Sequence, residues 1–275
     1  GWAGLKDRHA VTRQWISIHG ASPDALKQAE VEGLLVLDAV PHPQKLRTGH
    51  LRANRFRIRL RDIDPGRIGD LRRLLSKVEE QGLPNYYGEQ RFGRDGDNAT
   101  RALAWVLGDA RPPRSAFQRK LQMSAIQSEI FNRCVADRVQ SSTLAKVFRG
   151  DLMKKHQSGG LFVAPDVEDT QARANAWEIS PTGPMFGAKM RWPEDEARDR
   201  EEALLETSGL TREALARWKR LAPGTRRFVR VPVPNLGLTV RDNTVGLDFT
   251  LPAGSYATIL VREILKRDAP PPKTG

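Results

Sequence analysis

The segment Asn54–Arg61 constrains the fold most strongly, because apolar side chains and arginines alternate along it without a break. Phe56, Ile58 and Leu60 occupy every second position, and four arginines fill the positions before, between and after them. Successive side chains of a β-strand point to opposite faces of a sheet, so the alternation predicts a strand with one face in the core. The arginine face either contacts phosphate groups or is simply solvated, and the pattern leaves both interpretations open.

Apolar spacing elsewhere predicts strands near both ends of the chain, with helices and loops between them. The predicted strands cover residues 11–18, 34–40, 54–61 and a hairpin within 228–251. The predicted helices cover 23–33, with Ser22 as N-cap, then 65–80, 98–107 and 115–139, and a last helix with Ser255 as N-cap. The stretch 140–225 is predicted to mix short strands and highly charged helices with a Gly/Pro-rich turn at Ser180–Gly187, and to be polar and peripheral. This order favours an α+β core interrupted by an insertion.

The chain is strongly basic, with 45 Lys and Arg against 33 Asp and Glu and a formal net charge of +12. A basic surface concentrates polyanions and releases their counterions on contact, which favours RNA or DNA as a partner. A solvated, arginine-rich surface is the alternative interpretation. Because the sequence has no apolar run of about 18 residues and no apolar signal stretch, we expect a cytoplasmic protein without membrane contact.

The sequence offers little for a metal or a nucleotide cofactor. Its single Cys and five scattered His residues provide no ligand pair at the spacing of a zinc site. Phosphate-binding glycine motifs are missing as well, so we expect neither metal nor cofactor and look to ordinary side chains for chemistry. Cys134 stands at helical spacing from Ile130 and Phe131, which predicts core packing of its thiol.

One candidate for such chemistry is Asp7, which lies between Lys6 and Arg8 just before a predicted strand. Neighbouring cations favour the ionised form of a carboxyl group, so Asp7 is suited to act as a nucleophile or a base. From the residues alone, an exposed charged turn is the favoured interpretation.

A resemblance to a known family sharpens the interpretation of Asp7. The stretch Ala3–Trp15, AGLKDRHAVTRQW, resembles A-G-x-K-D-[KR]-x-A-x-T-x-Q, the signature of the TruD family of tRNA pseudouridine synthases. The catalytic Asp of that signature falls on Asp7. Further family motifs are matched in order at Gly49–Leu60, Leu83–Gly93, Ser180–Gly187 and Leu251–Glu263.

The resemblance implies isomerisation of uridine to pseudouridine in tRNA, at position 13 in the bacterial enzymes, without a cofactor and after the base has been flipped out of its stack. It implies a pseudouridine synthase fold, in which a mixed, mainly antiparallel sheet is flanked by helices and interrupted by an α/β insertion domain. On this basis we expect core segments at 1–81 and 231–275, and the insertion domain at 82–230. Family members carry a further segment before the Asp7 motif, so the N-terminal part of the core is expected to be missing here. A monomer is expected.

The resemblance also implies roles for individual residues. Asp7 would act as a nucleophile on the ribose or as a base at C2′, and Arg262 would pair with it. Lys6 and Asn54 would contact the substrate. Phe56 would stack on the flipped uracil and Tyr256 would line its pocket, although by pattern alone Phe56 is the first core residue of a strand.

A second group of residues is expected to contact RNA or to support the site, and bracing of the insertion is favoured over a direct role for the loop residues. These residues are Arg8, Asn85, Gln90, Arg91 and Phe92. Two other functions compete with the first one: a non-catalytic RNA-binding protein or RNA chaperone with the same fold, and a pseudouridine synthase for another RNA site.

Overall fold

The computed structural model describes residues 1–7 and 9–265. Arg8 lies outside the described residues, and so does the segment 266–275, which contains the tail that the sequence predicts to be disordered. The chain divides into two compact units, one formed by Gly1–Asn54 and one that begins at Arg55.

The first unit is largely irregular. Among the described residues, this unit has one helix, α1 (Pro23–Lys27). The helix begins as predicted, with the Ser22 hydroxyl accepting a hydrogen bond from the amide of Ala25. It ends far short of residue 33, because it buries none of its side chains and a short helix without packing is barely stable. The predicted strands 11–18 and 34–40 are wrong for the same reason, since most of their apolar side chains are exposed and only isolated bridges form there.

The second unit contains the remaining elements, the first of which, β1, starts within the last two residues of the first unit. The strands are β1 (Ala53–Leu60), β2 (Leu83–Pro84), β3 (Leu152–Lys155), β4 (Leu161–Val163), β5 (Ile179–Met185), β6 (Thr225–Phe228), β7 (Arg230–Val231), β8 (Gly237–Arg241) and β9 (Thr244–Pro252). The helices are α2 (Ile68–Gln81), α3 (Asn98–Leu107), α4 (Ala116–Gln140), α5 (Val167–Asn175), α6 (Asp195–Thr207), α7 (Arg212–Arg217) and α8 (Ala257–Leu265). Among the described residues, no helix has the length and apolar character needed to cross a membrane.

The predicted strand 54–61 is confirmed as β1, and its alternation sets one side of a core. It belongs to a three-stranded sheet of order β1-β9-β8, in which β8 and β9 form the predicted antiparallel hairpin. The apolar face of β1 packs with buried residues of α2 and α8, including Leu71 and Leu260. The rings of Phe56 and Phe249 stack there with centroids 5.4 Å apart. One face of this sheet is therefore closed by helices, as the alternation requires.

A second sheet confirms the short strands predicted within residues 140–225 and corrects the predicted turn there. It has the order β4-β3-β5-β6 with antiparallel pairing, and its central strand β5 occupies the predicted turn at Ser180–Gly187. All seven residues of β5 are buried. The glycine is needed for close packing, because a Cβ atom on Gly183 would lie 3.0 Å from the Phe131 ring of α4. Residues 179–185 are thus neither peripheral nor a turn, because they form a buried central strand of the sheet.

Two buried ion pairs lie in this half of the structure. Arg226 of β6 donates hydrogen bonds of 2.6 Å to both carboxylate oxygens of Glu201, with side chains only 2% and 9% exposed. Arg138 of α4 contacts Asp151 at 2.7 Å and is buried to a similar degree. Helix α6, which has a highly charged sequence, therefore places one carboxylate inside the protein instead of in solvent.

Cys134 packs as predicted, and we expect its thiol to be unreactive in the folded protein. It contacts the cluster that contains Phe131 and Val135, and burial raises the pKa of the thiol to about 12. The thiolate is the reacting form, so labelling of the native protein with a disulfide reagent at about pH 8 should be slow and should become fast after unfolding in urea. Equal rates in the two states would contradict this burial.

Candidate active site

In the first unit, two of the family-like motifs meet beside Asp7. Lys6 Nζ donates a 2.5 Å hydrogen bond to Oδ1 of Asn54, and the amide of Gly49 donates to the carbonyl of Ala3. Lys6 and Asn54 are half-buried, whereas Asp7 is exposed. The structure therefore holds an accessible carboxylate next to a lysine whose ammonium group is fixed by an amide side chain.

In the second unit, the loop after β2 meets the turn before α8. The buried Asn85 side chain donates from Nδ2 to the carbonyl of Phe228 at 2.9 Å, and its Oδ1 accepts from the Ser255 hydroxyl at 3.3 Å. The two motifs Leu83–Gly93 and Leu251–Glu263 are thus joined through one amide. The prediction that Ser255 caps the last helix is wrong, because α8 begins at Ala257 and the Ser255 hydroxyl binds Asn85 instead.

Sequence reasoning missed Arg227 of β6, which binds both sides of this junction. Its guanidinium donates to Asn85 Oδ1 at 2.7 Å, to the Asn85 carbonyl at 3.2 Å and to the Gly254 carbonyl at 2.9 Å. It also lies 4.0 Å from the centre of the Tyr87 ring. Burial lowers the pKa of Arg227. The sequence signal that could have pointed to Arg227 was the pair Arg226–Arg227 at the start of a mostly apolar stretch.

Tyr256 lies against the same loop. Its ring is 6.2 Å from that of Tyr87 in an edge-to-face arrangement, and a Cβ atom on Gly88 would lie 3.1 Å from its Cδ1. A side chain at position 88 would therefore push the ring away. Burial raises the pKa of Tyr256, and the positive charges of Arg91 and Arg227 oppose this effect.

Arg262 lies on the exposed side of α8. Its guanidinium is 4.8 Å from the centre of the Tyr86 ring and 3.4 Å from a carboxylate oxygen of Glu263. Burial and the charge of Glu263 raise the pKa of Tyr86 to about 12, while Arg262 opposes them. Tyr86 therefore stays protonated at neutral pH and presents a neutral ring to the guanidinium.

The remaining residues of the loop connect it to α4. Arg91 donates to the Ser128 hydroxyl at 3.2 Å and also contacts the hydroxyl of Ser124. Phe92 packs against the helical core that includes Trp105, whereas Gln90 is exposed. The loop is therefore attached to α4 on one side and to the turn before α8 on the other.

The arginines of β1 lie on the face opposite Phe56. Arg55 and Arg57 both bind the Asp248 carboxylate of β9, at 2.8 Å and 3.0 Å, and these two arginines keep the pKa of Asp248 below its usual value. Arg59 is exposed on the same face. This surface carries more positive than negative charge and is open to solvent.

Comparisons with known proteins agree with these motifs. The family model of tRNA pseudouridine synthase D (TruD) matches residues 1–110 and 114–264. A protein named tRNA pseudouridine synthase D from Anaeromyxobacter sp. (strain Fw109-5) is 42% identical over 278 residues, which cover 99% of this chain and 78% of the relative. A protein of the same name from Thermus thermophilus is 40% identical and covers 98% of this chain and 74% of the relative.

A crystal structure from Methanosarcina mazei, described as a TruD protein, has the same fold with a TM-score of 0.80. The match covers 96% of this chain and 80% of the Methanosarcina mazei chain, and the two sequences are 19% identical. This similarity confirms the predicted α+β, pseudouridine synthase fold. Taken with the family match over nearly the whole chain, it shows that the chain belongs to the tRNA pseudouridine synthase D (TruD) family.

Proposed function

We propose that this chain isomerises uridine to pseudouridine in tRNA, at position 13, with Asp7 as the catalytic carboxylate. Membership of the TruD family supports the reaction and the substrate class. The observation that carries the assignment to Asp7 is the 2.5 Å hydrogen bond between Lys6 and Asn54, because it brings two family-like motifs together beside an exposed carboxylate.

The reaction breaks the bond between C1′ and N1 and forms a bond between C1′ and C5. The uracil loses the proton on C5 and gains one on N1, so no oxidant, reductant or second substrate is required. Asp7 acts either as a nucleophile on the ribose or as a base that removes a proton from C2′. Both roles need an accessible carboxylate, and the exposure of Asp7 supports this.

In this proposal the substrate-contacting residues come from several motifs. Lys6 fixes the Asn54 amide, which hydrogen-bonds the substrate. Phe56 stacks on the flipped uracil, since every base offers an aromatic face worth about 1–3 kcal/mol of stacking. Tyr256 lines the pocket, and Arg262 pairs with Asp7. Gln90, which is exposed, is a candidate for RNA contact, as is Arg8.

The proposed supporting residues are Asn85, Arg91 and Phe92, and their contacts with the strand–helix framework favour bracing. We further propose that residues 1–81 and 231–275 form the catalytic core and that 82–230 form the insertion domain. The substrate tRNA is expected to bind through its phosphates, because the net charge of +12 and the open arginine face of β1 favour polyanions.

The test is tritium release from tRNA transcripts that carry 5-tritiated uridine, with the purified chain. We expect release, because C5 loses its hydrogen in the reaction, and we expect sequencing of the product to map pseudouridine to position 13. Release that maps to another uridine would support a synthase for a different RNA site. Binding of tRNA without any release would contradict the proposal and favour the non-catalytic RNA-binding function.

A further inference from the structure

Arg227 connects three parts of the chain that are remote in sequence. Through one guanidinium, β6 is tied to Asn85, 142 residues earlier, and to Gly254, 27 residues later. All three of its hydrogen-bond acceptors are carbonyl or amide oxygens. A planar guanidinium can hold two acceptors in fixed directions, which a lysine ammonium cannot do.

Asn85 completes this connection. Its Oδ1 accepts from both Arg227 and Ser255, at 2.7 Å and 3.3 Å, while its Nδ2 is occupied by the Phe228 carbonyl. The side chain of Asn85 therefore cannot rotate without breaking contacts with both β6 and the turn. Gly254 has a positive φ of 83°, which places its carbonyl in the turn where Arg227 binds it.

The turn held in this way leads directly to Tyr256. Arg227 packs on Tyr87, the Tyr87 ring meets the Tyr256 ring edge to face, and Gly88 lets the Tyr256 ring lie against the loop. The main chain before Tyr256 and the rings beside it thus depend on the same guanidinium. We propose that Arg227 is a positioning residue, which fixes the turn 252–255 and so orients the Tyr256 ring for the uracil. This inference rests on the proposed role of Tyr256 in lining the uracil pocket.

The first test measures kcat and tRNA affinity of the Arg227→Lys and Arg227→Gln variants. Because a misplacement of about 1 Å can lower a rate by about 10²-fold, we expect kcat to fall by about 10-fold to 100-fold while the Kd for tRNA changes by less than about threefold. Lysine keeps the charge but loses the geometry. Wild-type kcat in the lysine variant would overturn the proposal, and so would a loss confined to Kd, which would make Arg227 an RNA contact.

The second test does not depend on activity. Hydrogen exchange of the amides in residues 253–258 should become faster in both Arg227 variants, because the turn loses its contacts with β6. The matched control is Arg226→Lys, the same change one residue earlier, where the side chain binds Glu201 instead. It should lower the melting temperature and leave exchange in 253–258 unchanged.

The two tests separate the possible failures. If the unaltered chain releases no tritium, the proposed function fails, and the exchange data alone decide whether Arg227 holds the turn. If the chain is active but exchange in 253–258 is the same in the wild type and in both Arg227 variants, the positioning role is wrong and the proposed function stands.

Discussion

Replacement of Asp7 by Asn is expected to lower uridine isomerisation by at least about 10³-fold, whichever of the two roles the carboxylate has. An amide cannot act as a base and is a far poorer nucleophile, so both mechanisms fail together. The affinity for tRNA should stay within about twofold of wild type, because the exposed carboxylate contributes no positive charge to phosphate binding. Tritium release and filter binding of the same transcripts measure the two quantities.

Asp38→Asn is the control for this experiment. Asp38 is an exposed carboxylate in the same unit, and its ion pair with Lys27 at 4.0 Å is too weak to matter for folding. It should retain the wild-type rate within about twofold. A folded Asp7→Asn variant with the wild-type rate would remove Asp7 from the mechanism and would leave family membership intact.

Breaking the buried pair of Arg226 and Glu201 is expected to have the largest effect on stability. The single variants Arg226→Met and Glu201→Leu each leave one charge buried without its partner, which typically costs about 3–5 kcal/mol. The double variant Arg226→Met/Glu201→Leu removes both charges, so most of that loss should be recovered. Urea unfolding of the four proteins measures these free energies.

The control comes from the same helix. Arg198 and Glu202 of α6 form an exposed pair at 3.0 Å, and Arg198→Met should cost less than about 1 kcal/mol. If each single variant at the buried pair lowers the free energy of unfolding by no more than Arg198→Met does, the burial of the pair has no energetic consequence. Simple additivity in the double variant would show that the two side chains act independently.

The parts of the fold that the sequence predicted are those in which local pattern and burial agree. Strand β1 alternates strictly and α2 repeats its apolar residues at three and four positions, so each pattern identifies the buried face. Strand β5 gave no such signal. Its Gly and Pro residues resemble a turn, and only its pairing with β3 and β6, remote in sequence, makes it a strand.

In the candidate site, too, some features could be predicted from local sequence and others depend on contacts between remote residues. Family motifs identified Asn85 and Tyr256 from the sequence, but the hydrogen bond from Ser255 to Asn85 depends on residues 170 positions apart. The pair of arginines could have drawn attention to this position, but the partners of Arg227 could not be predicted, because main-chain carbonyls are among its acceptors and every residue has one. The fold determines which carbonyl groups lie within reach of Arg227, and the identity of the residues that carry them does not.

Strand β6 places two successive arginines on opposite sides, Arg226 toward Glu201 and Arg227 toward Asn85. Because side chains alternate with a period of two, a shift of one residue in the pairing of β6 with β5 would exchange them. The shifted strand would still present an arginine to each side, so composition alone would not reveal the error. The loop from Pro223 to the start of β6 thus has to be of fixed length, and a single-residue deletion there would alter the buried pair and the turn before α8 in one step.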